Sequence, residues 1–394
     1  MSSIKKIPFG ALGRAFRDGV AQLCSRPIYI LVMVVVPIFA TFFFLDFMNE
    51  GLPLKLPSAI VDLDNSPLSR KVNRNLASSE LISVEYKPQS YNEAMTLLNS
   101  GNIYGFFMIP RDFQRNAESG KSTTITFYTN MSYYVPGSLS YKGFKTIAVT
   151  ASGEVVSSTL QNAGLRSETV STLLQPVVTD VHPMGNPWSN YSIYLSNSFL
   201  PCLLQLIIFQ ITAFSILQEI KRGTSVRWIQ DAGGSVWTAC MGKLIPQYVI
   251  FLVVGLAMQG MMYGFWHFPL NGSVWGMIIG MMLLVAASQA FALFITCLIP
   301  NLRFALSILS LTGILSFSIA GFSFPVEDMY PAVGIFAYLL PVRHYFLIYI
   351  NVALNGYEMY FCRWEYVYLI LFLLPPVTML WKLKRISLNP VYIP

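Results

Sequence analysis

Residues able to do chemistry are few and scattered. His182, His267 and His344 stand far apart and form neither HExxH nor any paired ligand spacing. Cys24, Cys202, Cys240, Cys297 and Cys362 include no CxxC pair and no Cys/His metal pattern. No Gly-x-Ser-x-Gly elbow is present. Gly120-Lys121-Ser122-Thr123 has the ending of a phosphate-binding loop, but that motif needs a glycine five residues earlier, where Arg115 stands. A predicted strand follows it in place of a helix, so it reads as a polar turn, and the chain is expected to bind no ATP and no metal itself. Asp62-Leu63-Asp64 has the form of an acidic pair that holds Mg²⁺ and a nucleotide sugar. It closes a predicted strand and reads as a turn.

Other polar residues stand in apolar surroundings. Gln205, Gln210, Gln247, Gln259 and Gln289 fall within hydrophobic stretches. Amides there either bond between helices or face a wet path. His344 follows Arg343 in a broken apolar stretch, as an interfacial polar pair or as a gating or substrate contact. Gln205, Gln210, Gln289 and His344 are therefore the candidates for a substrate path. Glu219 to Lys243 is a compact charged loop between two long apolar runs, with a short amphipathic element at Val226, Trp228 and Ile229. It could lie on anionic lipid or dock a cytosolic partner.

The elements that position these residues follow from charge. The 394 residues are 54% hydrophobic and only 11% charged, with a mean hydropathy of +0.53. A soluble domain is about 25% charged, and disorder needs low hydrophobicity, so both classes are excluded. Leu244–Leu302 holds no charge over 59 residues, Phe304–Val326 none over 23, and Val181–Gln218 none over 38. A spanning helix needs about 20 apolar residues. Six spans are predicted: 27–47, 195–217, 244–266, 274–299, 304–323 and 364–381. The stretch 331–356, interrupted by Pro331, Pro341, Arg343 and His344, is expected to dip back into the membrane as two short segments. Basic residues precede the first apolar run, but no cleavage site follows, so an uncleaved helix is expected.

Sidedness follows from Lys and Arg in the short loops. With the N-terminus inside, the cytoplasmic segments hold 13 basic residues, Lys5 and Lys6 among them, against 3 acidic ones. The segment 46–194 holds 11 basic and 12 acidic residues, and 327–365 holds 2 and 4. The net +7 is thus a topology signal, not a nucleic-acid footprint. Trp188, Trp266, Trp275 and Trp364 fall near outer span ends, and Trp228, Trp237 and Trp381 near inner ones, the interfacial preference of an amphipathic ring.

The predicted fold is a polytopic α-helical membrane protein of six transmembrane helices. A broken re-entrant segment follows helix five, and an α/β extracytoplasmic domain lies between helices one and two. Its parts are a cytoplasmic segment 1–26, helix 27–47, outer domain 48–194, transmembrane region 195–381 with a loop at 219–243, and a cytoplasmic tail 382–394. In the outer domain, strands are expected around Ala59–Val61, Leu81–Tyr86, Ile103–Ile109 and Thr123–Tyr128. Ser66-Pro67 and Ser90-Tyr91-Asn92-Glu93 open helices, and long helices fill about 137–175.

The order of short motifs resembles the permease subunits of ABC-2 type exporters. Glu219, Gly223 and Thr224 match Glu-x-x-x-Gly-Thr after span two, and Gly242, Lys243 and Pro246 match Gly-Lys-x-x-Pro at span three. Gly321, Phe322, Pro325, Met329, Pro331, Pro341, Tyr345 and Gly356 follow span five in the family's order, with Tyr330 inserted before Pro331. Val61-Asp62-x-Asp64-x-Ser66 and Ile109-Pro110-x-Asp112-Phe113 match its outer domain, while Gly233-Gly234 stands where a more apolar helix is common. The resemblance covers essentially the whole chain. It implies a transport subunit rather than an enzyme, driven by a separate ABC ATPase that binds the ATP. It implies ATPase coupling through Glu219, Arg222, Gly223 and Thr224, and pairing with a second permease copy or paralogue. The large outer domain resembles the efflux branch, which works with a periplasmic adaptor and an outer-membrane channel from the bacterial inner membrane. Uncharged spans with several Gln, in a chain of 17 Met in all, favour a hydrophobic or amphipathic cargo, such as a drug or lipid. The alternative is a membrane-anchored receptor or assembly factor whose outer domain binds a partner.

Overall fold

The structure, a computed structural model, describes residues 9–119, 121–162, 164–175, 182, 184–187 and 189–389. Lys5, Lys6, Gly120 and Trp188 lie outside them. The chain divides into two compact units, Leu52–Val181 and the remainder.

The larger unit begins with α1 (Phe9–Cys24), an amphipathic helix to which the sequence reading assigned no element. The first apolar helix, α2, is Pro27–Phe47. It widens into a π turn at Leu31–Val35, just before Pro37. A proline ring clashes with the carbonyl four residues back, and the wider turn relieves that clash.

The Leu52–Val181 unit runs β1 (Leu56–Asp62), α3 (Pro67–Ala77), β2 (Ile82–Tyr86), α4 (Tyr91–Asn99), β3 (Gly105–Ile109), α5 (Phe113–Glu118), β4 (Thr126–Thr129), α6 (Tyr134–Asn162) and α7 (Ser167–Leu174). The strand order is β2-β1-β3-β4, with β4 antiparallel and the other pairs parallel. Successive β1 side chains face opposite sides of the sheet. Ile60 enters one core with Val72, Leu76 and Phe144, while Ala59 and Val61 enter another with Ala94 and Leu98. Helices therefore cover both faces, as parallel strands require. Ser66 caps α3 by accepting the Ser69 N–H, with Pro67 in the first turn, and Ser90 caps α4 by accepting the Glu93 N–H. Glu93 reaches back to the Gln89 N–H, one residue before the usual capping-box partner.

The larger unit resumes at α8 (Tyr191–Lys221), followed by α9 (Ser225–Asp231), α10 (Val236–Phe265), α11 (Val274–Leu298), α12 (Leu302–Ile319), α13 (Pro331–Ala337), α14 (Pro341–Leu354) and α15 (Arg363–Leu388). Six of these helices, α2, α8, α10, α11, α12 and α15, are long and apolar enough to cross a membrane. The α13–α14 pair bends by 76° at its break. α8 is the central helix: 78% of its apolar window is buried, against 28% for α2 and 22% for α15.

Helix limits differ from the sequence reading for physical reasons. α10 starts at Val236 rather than 244 because Lys243 does not end it; that charge is neutralised inside the fold. α12 stops at Ile319 because Gly321 adopts φ +96°, and a Cβ there would lie 2.7 Å from Nη1 of Arg343. α15 runs on to Leu388, seven residues past the predicted end.

Candidate functional site

The end of α8 is a glycine-capped helix stop. Gly223 takes φ +71°, its N–H donates to the Ile220 carbonyl at 3.1 Å, and the Thr224 N–H donates to the Glu219 carbonyl at 2.9 Å. These two bonds define a Schellman cap, which needs a left-handed residue. α9 ends the same way. Gly233 and Gly234 sit at φ +74° and +76°, donating to Gln230 at 2.9 Å and Ile229 at 2.8 Å. Ser235 then caps α10. The two glycine stops fix the short α9 helix between two long ones, and the Gly233-Gly234 pair is the second stop.

Glu219 is held from two sides. Its Oε1 lies 2.6 Å from Nζ of Lys243, and its Oε2 accepts the Thr224 hydroxyl. Lys243 is 5% exposed at the side chain. Its ammonium also donates to the Ser215 carbonyl at 2.7 Å and lies 4.8 Å from the Trp228 ring centre. A buried ammonium persists only with such partners. Arg222 is exposed, and Arg227 pairs with Asp231 at 3.7 Å on the same face. A cavity of about 300 Å³ opens beside Glu219, lined by Asp18, Gln22, Arg222, Arg227 and Lys243 among others.

α1 completes this site. Gly19 passes so close to Gly242 that a Cβ on it would collide with the Gly242 carbonyl. A Cβ on Gly242 would lie 2.5 Å from that of Ala15. The glycine before Lys243 is thus the contact that lets α1 lie against α10. Sequence reasoning took 219–243 as one stretch with Glu219, Arg222, Gly223 and Thr224 as its coupling residues, but gave Lys243 and Trp228 within it no contact with Glu219 and did not find α1. The available signal was Lys243 itself, a lone charge at the edge of a 59-residue uncharged run.

The amide side chains all cross between helices. Gln205 donates to Oγ of Ser316 at 3.1 Å and accepts the Val342 N–H at 2.9 Å. That second bond satisfies an orphan N–H in the first turn of α14, whose N-cap Leu340 has no capping side chain. Gln210 donates to Oγ of Ser310 at 3.0 Å, Gln247 to Oγ of Ser215 at 2.9 Å, Gln259 to the Tyr345 hydroxyl at 2.9 Å, and Gln289 to the Leu244 carbonyl at 3.2 Å. Gln289 also borders an apolar cavity. Each amide is a cross-helix tie.

At the α13–α14 break, Nδ1 of His344 lies 2.7 Å from Glu365 and Nε2 lies 3.0 Å from the Tyr338 carbonyl. Arg343 donates to the Ala320 carbonyl at 3.0 Å and stacks 4.7 Å from the centre of the Tyr338 ring. Phe322 packs edge-on to Phe346 at 4.4 Å, and its carbonyl accepts the Tyr194 hydroxyl at 2.6 Å. The Gly321-Phe322 stretch therefore anchors the broken pair.

In the smaller unit the acidic turn uses its carboxylates on the backbone. Asp62 accepts N–H groups of Asp64 and Asn65 and the Ser69 hydroxyl. Asp64 accepts the N–H groups of Phe113 and Gln114, capping α5 from 49 residues away. Lys121, Ser122 and Thr123 run without regular structure toward β4. Among the described residues no group of three or more His, Cys, Asp or Glu could hold a metal ion.

The larger unit is thus a set of long apolar helices tied by buried amides, with a charged stop at one pair of helix ends. A family model described as ABC-2 family transporter protein matches residues 26–381, and the chain belongs to that family. It is a multi-pass membrane protein and a permease of ABC transport, a class that partners with an ABC ATPase subunit. No curated protein matches the chain.

Proposed function

We propose that this permease couples to a separate ABC ATPase through residues 219–243 and exports a hydrophobic or amphipathic substrate, drug-like or lipid-like. The observation that carries this reading is the Glu219–Lys243 pair beside α9, a short helix set between the glycine stop of α8 and its own. A rigid short helix joined by glycine stops to two long helices moves as one piece with them. Force applied at α9 by a partner then reaches α8 and α10 without loss in the loop. Arg222, Gly223 and Thr224 shape and expose that surface, and the partner binds the ATP.

In this reading the chain sits in the bacterial inner membrane with both termini in the cytoplasm. The Leu52–Val181 unit faces the periplasm, and the α13–α14 pair re-enters the membrane without crossing it. Two copies, or one copy and a paralogue, form the transporter, with a periplasmic adaptor and an outer-membrane channel as further partners. The basic excess on the short loops supports the orientation. The bonds of Gln205, Gln210 and Gln289 support a packing role, while His344 at the break is the stronger path candidate. Glu219→Gln and Gly223→Val should abolish transport measured per permease molecule present in the membrane. Transport at the wild-type rate in both variants would refute the coupling assignment.

A further inference from the structure

An apolar cavity of about 300 Å³ lies between α10, α11 and α15, lined by Trp237, Ile245, Tyr248, Gln289, Leu373 and Val377 among others. It lies beside the break of α15 at Phe372 and Leu373, ahead of Pro375 and Pro376. Its outer lining is open: Trp237 is 41% exposed and Val377 51%. Both residues belong to helices apolar enough to cross a membrane, so the cavity opens onto lipid.

Apolar lining alone selects nothing in a bilayer, because lipid tails are as apolar as leucine. Selection comes from the end of the groove. Val377, Trp381 and then Lys384 and Arg385 follow one another along α15 at helical spacing. Trp381 is 64% exposed, an interfacial ring beside the groove. Lys384 and Arg385 are exposed, and neither forms an ion pair among the described residues. Beyond Glu365, α15 carries no acidic residue. From Val377 to Lys384 the helix rises about 10 Å, the distance from the upper part of a lipid tail to its phosphate region.

We propose that this groove is a site for one anionic phospholipid, its acyl chain between α10, α11 and α15 and its phosphate held by Lys384 and Arg385. The occupant braces α15 from the membrane side. α15 in turn supports α9: the Ser225 hydroxyl donates to the Ser387 carbonyl at 2.7 Å, and Ile229 shares a core with Leu383. The bound lipid therefore steadies the helix on which the coupling surface rests.

The test is native mass spectrometry of the full-length protein, delipidated in mild detergent and offered equal amounts of dioleoyl-phosphatidylglycerol and dioleoyl-phosphatidylcholine. We expect roughly thirtyfold more phosphatidylglycerol retained, from two basic side chains at a lipid surface. Lys384→Gln with Arg385→Gln should bring the two lipids to parity, and Ala290→Trp, which fills the groove, should reduce retention of both several-fold. Equal retention by the wild type, or an undiminished preference in the Lys384/Arg385 variant, would overturn the site. The two surface substitutions keep the test decisive if Ala290→Trp misfolds. Lipid retention is read without any transport assay, so it fails or succeeds independently of the coupling proposal.

Discussion

Lys243 concentrates the energetics of this fold in one side chain. Its ammonium is buried with one carboxylate, one carbonyl and one indole ring around it. Removing one partner of a buried ion pair leaves the other charge uncompensated, which costs about 3 kcal/mol. Lys243→Met and Glu219→Gln are each expected to lose about that much in chemical denaturation. The double variant should lose less than the sum of the two, because the sites share one interaction. Gly223→Ala should cost about 1 kcal/mol from the left-handed backbone alone. The two ends of this pair were not equally legible. Glu219 is visible as a charge ending a long apolar run. Lys243 looks like a span boundary, and only its folded partners show that it lies inside a helix. The same limit hid α1, whose contact with α10 depends on Gly19 meeting Gly242, a proximity that spacing along the chain does not encode.

Among the elements, the broken α13–α14 pair is the one that needs help from outside its own sequence. Pro341 starts α14, and the first-turn N–H of Val342 finds its acceptor on Gln205, 137 residues earlier. Gln205→Leu leaves that N–H and the Ser316 hydroxyl without the amide, a loss of about 1–3 kcal/mol for a buried unsatisfied group. It should appear as faster labelling of cysteines placed at 338–340, with the α8 spectrum unchanged. Proline spacing made the break legible. The cap did not follow from sequence, because a glutamine in an apolar run fits any neighbouring helix equally well. In the smaller unit the reverse holds. Strands β1 to β4 and the caps at Ser66 and Ser90 use local signals, and the residues that form them are next to one another in the chain. The bridge from Asp64 to α5 is the exception, being made across 49 residues.

For the whole molecule, charge distribution and coupling are the two claims. In the proposed orientation, argued from the basic excess on the short loops, a cysteine at 224 should react only from the cytoplasm and one at 358 only from outside. Cytoplasmic reaction at 358 would mean that α13–α14 crosses the membrane. The uncharged runs made the helices legible at this scale, since about 20 apolar residues suffice to span. Partner and cargo leave no such trace in composition. The central claim is that an ABC ATPase docks at 219–243, and the direct measurement is its recovery with the affinity-purified protein. The wild type should bring down an ABC ATPase in stoichiometric amount, and Arg222→Glu with Arg227→Glu, both on exposed side chains, should lose it while the permease itself is recovered in full. Absence of an ATPase from the wild-type preparation, or its undiminished recovery with the double variant, would contradict the account.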